Sequence, residues 1–219
     1  MTATDVIGRE ALRCAAGREQ LLEALSQRML RHCDVEAWRQ LFLGPAYGTI
    51  RFEAAQLTLV AADAPLDSCS GEEAALLAAR LGGNPEPSAG VDLVLSFRSA
   101  AAALGAALLL QRLSPRRRVR TAISTYPCTV ACYEVDGTQR RLVLGEAMEQ
   151  AEAALERAVP GTVLITAETY ALIGERIAEY VPDGLVATEL EDDRVRQASI
   201  TLAPHASAPM STFAGLGLS

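Results

Sequence analysis

The chain has 219 residues and a mass of 23.2 kDa; 50% of its residues are apolar and 21% charged, enough for a buried core in one domain with an appendage, or in two small domains. Twenty-seven acidic residues against 20 basic ones give a net charge of −7, which argues against wrapping nucleic acid. Every basic residue is an arginine, so lysine chemistry is excluded (Schiff base, Walker-type phosphate lysine, general base), and two histidines, His32 and His205, are too few for a three-histidine metal site.

In chain order, residues 5–31 predict a helix. Ala11, Ala15, Leu22, Leu25 and Met29 form an apolar stripe that Arg18 interrupts. The stripe suits a partner helix and this protein's own core equally. Asp34 is placed to cap a second helix, Val35–Phe42, which carries the only tryptophan, Trp38, and ends at Gly44-Pro45. Tyr47–Phe52 and Leu57–Ala62 have strand character. Ser70–Leu81 reads as a helix stopped by Gly82-Gly83, and Asn84–Gly90 as a loop. A strand, Val91–Phe97, precedes a helix over residues 99–113 that is apolar nearly all round and therefore expected to be buried. Strands Val119–Thr125 and Thr129–Val135 flank Tyr126-Pro127. Asp136-Gly137 signals a hairpin turn that returns in Arg140–Leu144. A helix follows Gly145 to about Ala158, then a strand Thr162–Ile165 and a helix capped by Thr166. Gly184–Leu190 and Val195–Leu202 pair around an acidic turn at Glu191–Asp193. The order of elements is an α+β pattern, which suggests a ferredoxin-like sandwich with extensions.

The N-terminus has no apolar signal core, and the longest apolar stretch, around Ala100–Leu110, is too short to span a bilayer. Five cysteines at irregular spacing fit reduced thiols, and the expectation is a cytoplasmic protein. Cys128 and Cys132 share one face of a strand, but two ligands without further partners favour packing over metal.

Arg120–Ile173 resembles the class III nucleotide cyclase domain, the fold of adenylate and guanylate cyclases. The family reads there as R-x-G-I-H-T-G-E, a hairpin, V-x-G-D-x-V-N-x-A-x-R, and A-x-P-G-x-I-x-I-S-x-E-T-Y. The best match is PGTVLITAETY, Pro160–Tyr170. Leu59–Asp63 (LVAAD) is similar to the family's V-L-F-A-D, and Val91–Phe97 and the helix after it are similar to its hairpin strand and the helix ending in a Gln pair, here Leu110-Gln111. The resemblance covers about residues 57–202. It implies an α+β, ferredoxin-like βαββαβ sandwich of the class III cyclase type with an N-terminal helical extension. The division of the chain is then 1–45 helical extension, 46–203 cyclase-like domain and 204–219 flexible tail.

The family's reaction joins the ribose 3′-hydroxyl to the α-phosphate at two metal ions held by two aspartates. Asp63 falls on the first metal position. Val91 falls on the second, with Asp92 one residue later and so expected on the opposite face of the strand. The phosphate-cradling turn is replaced by Ala64-Pro65-Leu66, whose proline offers no N–H. The base-reading positions carry Pro87 and Leu142, the ribose-orienting asparagine is Glu149 and the transition-state arginine is Ala153. The Gly-Glu of H-T-G-E is Tyr126-Pro127. Loss of one transition-state donor typically costs about 10²–10³ in rate, so the resemblance implies a silent domain with no catalytic residues. Metal at Asp63 or Asp92, as Mg or Mn, belongs to the alternative of a divergent cyclase making cAMP or cGMP from ATP or GTP; otherwise no cofactor is expected. Arg98 and the cluster Arg116, Arg118 and Arg120 are the candidates for nucleotide binding without turnover, a further alternative, although such a basic run is more often a solvated strand entry. The expected partners are a second copy, or another cyclase-like or signalling protein, with no nucleic acid and no membrane.

Overall fold

The computed structural model describes residues 3–31, 35–63, 76, 78–88, 91–113, 119–173, 185–192 and 195–202. Its elements are α1 (Ala3–Arg31), α2 (Val35–Phe42), a 3₁₀ turn (Pro45–Thr49), β1 (Arg51–Ala62), β2 (Gly83–Glu86), β3 (Leu93–Phe97), α3 (Ala100–Leu113), β4 (Thr121–Val135), β5 (Thr138–Leu144), α4 (Ala147–Arg157), β6 (Thr162–Ile165), α5 (Ala167–Ile173), β7 (Leu185–Asp192) and β8 (Val195–Leu202). The strands form one sheet of order β2-β3-β1-β4-β6-β8-β7, with β5 paired to β4. Its first four strands, with β3 antiparallel to both β1 and β2, have the ferredoxin-like order expected from the sequence. β4 and β6 are parallel, joined through β5 and α4. The expected Asp34 cap, most of the helix over 70–81 and the tail beyond Leu202 lie outside the described residues.

β1 and β4 are sheet neighbours. Three bonds fix their antiparallel register: the Glu134 N–H donates to Thr49 Oγ1 at 3.1 Å, Thr58 Oγ1 lies 2.9 Å from Thr125 Oγ1, and the Asp63 N–H donates to the Arg120 carbonyl at 3.3 Å. Each step towards the end of β1 is matched by one step towards the start of β4.

The chain forms two compact units, Met1–Ala55 with Cys128–Glu146, and Gln56–Pro127 with Ala147–Ser219. In the first unit Leu25 and Met29 of α1 and Ala37 and Leu41 of α2 bury against Ile50, Ala131, Tyr133, Val135, Leu142 and Leu144. This part of the α1 stripe therefore serves the protein's own core. Arg18, the interruption in that stripe, donates to the Ile50 carbonyl at 3.5 Å and lies over the Phe52 ring, so its cation is accommodated at the edge of the core. The hairpin turn has positive φ at both Asp136 and Gly137, the requirement of a type I′ turn.

In the second unit Val60, Ala62, Leu93, Leu95, Phe97, Ile123, Val163 and Ile165 pack with Ala103, Leu104, Ala107 and Leu108 of α3 and Ile173 of α5. The intervening residues Leu59, Ala61, Val94, Ala122 and Leu164 are buried too, and α4, which lies against β6, buries Met148, Ala151, Ala154 and Leu155. Burial on both faces explains the near-continuous apolar runs of these strands. Gln111, buried at the end of α3, places Nε2 2.8 Å from the Val119 carbonyl and Thr121 Oγ1 and 3.1 Å from the Thr162 carbonyl, fastening the helix to the starts of β4 and β6.

Three sequence expectations are corrected. Tyr47–Thr49 is part of a 3₁₀ turn, with Pro45 at its start and the Thr49 hydroxyl bonded to the Ala46 carbonyl at 2.7 Å. Gly83–Glu86, expected partly as loop, is a strand; Pro85 is tolerated there because β2 is a sheet edge. Gly83 is required, since a Cβ would lie 2.4 Å from the Phe97 ring. Finally, β4 runs unbroken through Tyr126-Pro127.

Candidate functional site

Asp63 follows β1 directly, and Arg120 directly precedes β4. The antiparallel register sets them opposite each other, and the two half-exposed side chains form an ion pair of 2.7 Å between Arg120 Nε and Asp63 Oδ2. The Arg120 backbone N–H donates to the other carboxylate oxygen, Oδ1. Both oxygens of Asp63 thus bind one residue, and charge-assisted bonds of this kind are the stronger class. Arg120, read from the sequence as a grip for phosphate, is the partner of the carboxylate read as a metal ligand.

The β1–β3 ladder ends at Ala62 opposite Leu93. Asp63 and Asp92 are the residues next beyond that last pair, at the same end of the sheet. Asp92 is exposed, in the bend before β3. Two carboxylates are therefore brought to one sheet end, one of them already bonded to a guanidinium. Among the described residues no group of three or more His, Cys, Asp or Glu side chains is placed to hold a metal ion. Beside Asp63, where the resemblance implies a metal ion, the positive charge is supplied by Arg120.

The loop before β3 is tied down from α4. Ser88 Oγ donates to Glu152 Oε1 at 2.8 Å and accepts from the Val91 N–H at 3.2 Å. Glu149 and Ala153, one turn apart on α4, are exposed, as are Pro87 and Arg98. Arg116 and Arg118 lie outside the described residues. Leu142, at the other position where the resemblance implies a base-reading residue, is 4% exposed in the apolar core of the first unit. Cys128 and Cys132 lie on the same face of β4, both half-buried.

Tyr126, on β4, has its hydroxyl pushed above the ordinary tyrosine range, first by burial and then by the Glu168 carboxylate, with Arg157 acting in the opposite direction. A chain of buried threonine hydroxyls runs from Thr58 to Thr125 (2.9 Å), to Thr169 (2.9 Å) and to Thr166 (3.3 Å), joining β1 and β4 to the start of α5. The sequence reading missed Arg120 as a partner of Asp63, and Ser88 with Glu152. For the first pair the signal was opposite charges at the end of one strand and the start of another; for the second there was none.

No protein-family model matches the sequence, and no curated protein matches it. Solved structures do. The adenylyl cyclase CyaB from P. aeruginosa is 17% identical with a TM-score of 0.50, over 69% of this chain and 96% of that one. The guanylyl cyclase domain of the RhoGC fusion protein from the aquatic fungus Blastocladiella emersonii is 13% identical with a TM-score of 0.52, again over 69% and 96%. The guanylate cyclase domain of RhGC from Catenaria anguillulae, solved in complex with GTP, is 14% identical with a TM-score of 0.50, over 70% and 99%. At such identities the likeness is one of architecture, and the chain has the fold of the class III nucleotide cyclase domain. Among the described residues no helix is long and apolar enough to cross a membrane.

Proposed function

We propose that this chain is a catalytically silent cyclase-like domain, a cytoplasmic signalling or regulatory module that acts through protein contacts as a homodimer or with another cyclase-like or signalling protein. The observation that carries the reading is the Asp63 carboxylate, bound on both oxygens by Arg120. A divalent ion at Asp63 would have to displace the Arg120 guanidinium from Oδ2 and the Arg120 backbone N–H from Oδ1, and the exposed Asp92 lies just beyond the β1–β3 ladder at the same end of the sheet. Leu142 in an apolar core, Glu149 in place of the asparagine and Ala153 in place of the arginine support the same reading. Neither a second copy nor any partner restores Glu149 or Ala153 within this chain.

The second reading, a divergent cyclase, is favoured by one observation, that Asp63 and Asp92 come at the same end of the sheet, next beyond the Ala62–Leu93 pair. Turnover of ATP and GTP with Mn²⁺ distinguishes the two. No cyclic nucleotide is expected above the rate without protein. Formation of cAMP or cGMP that Asp63→Ala abolishes would sink the silent reading.

A further inference from the structure

α2 carries apolar side chains beyond the two that it buries fully, Trp38 and Phe42 at the edge of the same core and others in the open. Ala37 and Leu41 face inward and are buried. Round the helix from them come Trp38 and Phe42, half-buried, then Val35, 44% exposed, and Leu43, just past the helix, 75% exposed. Trp38 and Phe42 stack with ring centroids 5.6 Å apart, and Phe42 meets the edge of Tyr47 at 6.3 Å, which extends the ridge to a residue that is itself 44% exposed. A short helix whose aromatic edge stays partly open beside the exposed Val35 and Leu43 is unlike an ordinary solvent-facing helix, and aromatic residues dominate interface energetics. Two charges cross this ridge, Glu36 and Arg39. Their side chains are 74% and 64% exposed, and their mutual contact is a long 3.9 Å.

We propose that this ridge is a docking surface for a second copy of the same chain, with the two α2 helices antiparallel across a two-fold axis. The charges select this occupant. In a two-fold contact every interaction occurs twice with the roles exchanged, so a surface must complement itself. Running antiparallel, α2 brings Glu36 of each copy to Arg39 of the other, and the ridge offers both signs in equal number. The aromatic chain and Val35 then lose water beside two intermolecular ion pairs. The inference does not depend on whether the chain turns over nucleotide.

The test is sedimentation of the full chain over about 1–100 µM, the weak end of the range for protein interfaces. A monomer–dimer equilibrium is expected. Leu43→Asp, Glu36→Arg and Arg39→Glu should each weaken it by at least about tenfold, since the charge reversals set like charges face to face. The double reversal Glu36→Arg with Arg39→Glu should recover the dimer. A mixture of the two single reversals should form a heterodimer that neither forms alone. Far-UV circular dichroism checks the fold; should Leu43→Asp misfold, the charge series at the two exposed positions decides alone. A monomer at every concentration overturns the proposal. So does a dimer indifferent to these substitutions, or a double reversal that fails to recover it.

Discussion

The phenol of Tyr126 stands where the cyclase pattern has glycine, and its environment favours the neutral form. Burial is the larger cause and Glu168 the second, against an opposing Arg157. An acid whose folded pKa is raised gives stability that is complete below its unfolded pKa, about 10 for tyrosine, and is lost as pH climbs through the folded value. Tyr126→Phe removes that loss. Its urea midpoint should therefore fall less between pH 9 and pH 11 than that of the parent, while the order of the two at pH 7 reports only packing and the hydroxyl's bonds. Equal falls in both proteins would show that Tyr126 ionises alike in the folded and unfolded chains. Asp63 teaches the complementary lesson about single residues. Its position at a strand end was legible from LVAAD, but what it binds depends on which residue of β4 faces it. That register is a long-range property, set by pairing across 57 residues, and no local pattern carries it.

Between elements, the buried hydroxyl chain is the feature with the clearest energetic signature. Thr58, Thr125 and Thr169 are each no more than 2% exposed, so a hydroxyl stripped of its partner there cannot turn to water. Thr125→Val removes the middle of the chain and leaves Thr58 short of a partner, which should cost about 1–3 kcal/mol in urea unfolding. Thr58→Val added to it removes the stranded group at almost unchanged shape, so the double variant should be more stable than Thr125→Val alone. Strictly additive losses would mean that Thr58 has another partner. The elements these hydroxyls join were mostly legible in the sequence. Val35–Phe42, Thr162–Ile165 and the Asp136-Gly137 turn follow from local periodicity and turn chemistry. Pro127 misled, because proline usually interrupts a strand. The β6 ladder ends at Ile123 and the β5 ladder begins at Thr129, so Pro127 falls in the gap between them and its missing N–H breaks neither. Pro85 misled for a related reason, since edge position is decided by the whole sheet.

On the scale of the molecule, the N-terminal helices decide whether the hairpin of β4 and β5 can exist in water. One face of that hairpin and the chain entering β1 present Ile50, Ala131, Tyr133, Val135, Leu142 and Leu144, all buried, with Phe52 beside them. Their cover comes from residues 21–42. Leu25, Met29 and Leu41 are 0%, 3% and 0% exposed, and full burial of side chains of this size is worth about 1.5–3 kcal/mol each. Phe42 and the Trp38 ring, whose Nε1–H donates to Ser26 Oγ at 2.7 Å, seal the edge. A segment that reads in sequence as an appendage is thus part of a core. A chain beginning at residue 44 should expose that face, bind a hydrophobic dye and aggregate, because so large a contiguous apolar patch is rarely left open on a soluble monomer. The milder variant Leu25→Ala keeps the helices and opens a cavity, with an expected loss of about 2–5 kcal/mol. A shortened chain that stays soluble, binds no dye and melts like the parent would show that the helices are dispensable. A loss well below that range for Leu25→Ala would show that the helices only rest on the hairpin. The two results belong together, since a cover that contributes little on point substitution has little reason to matter on removal.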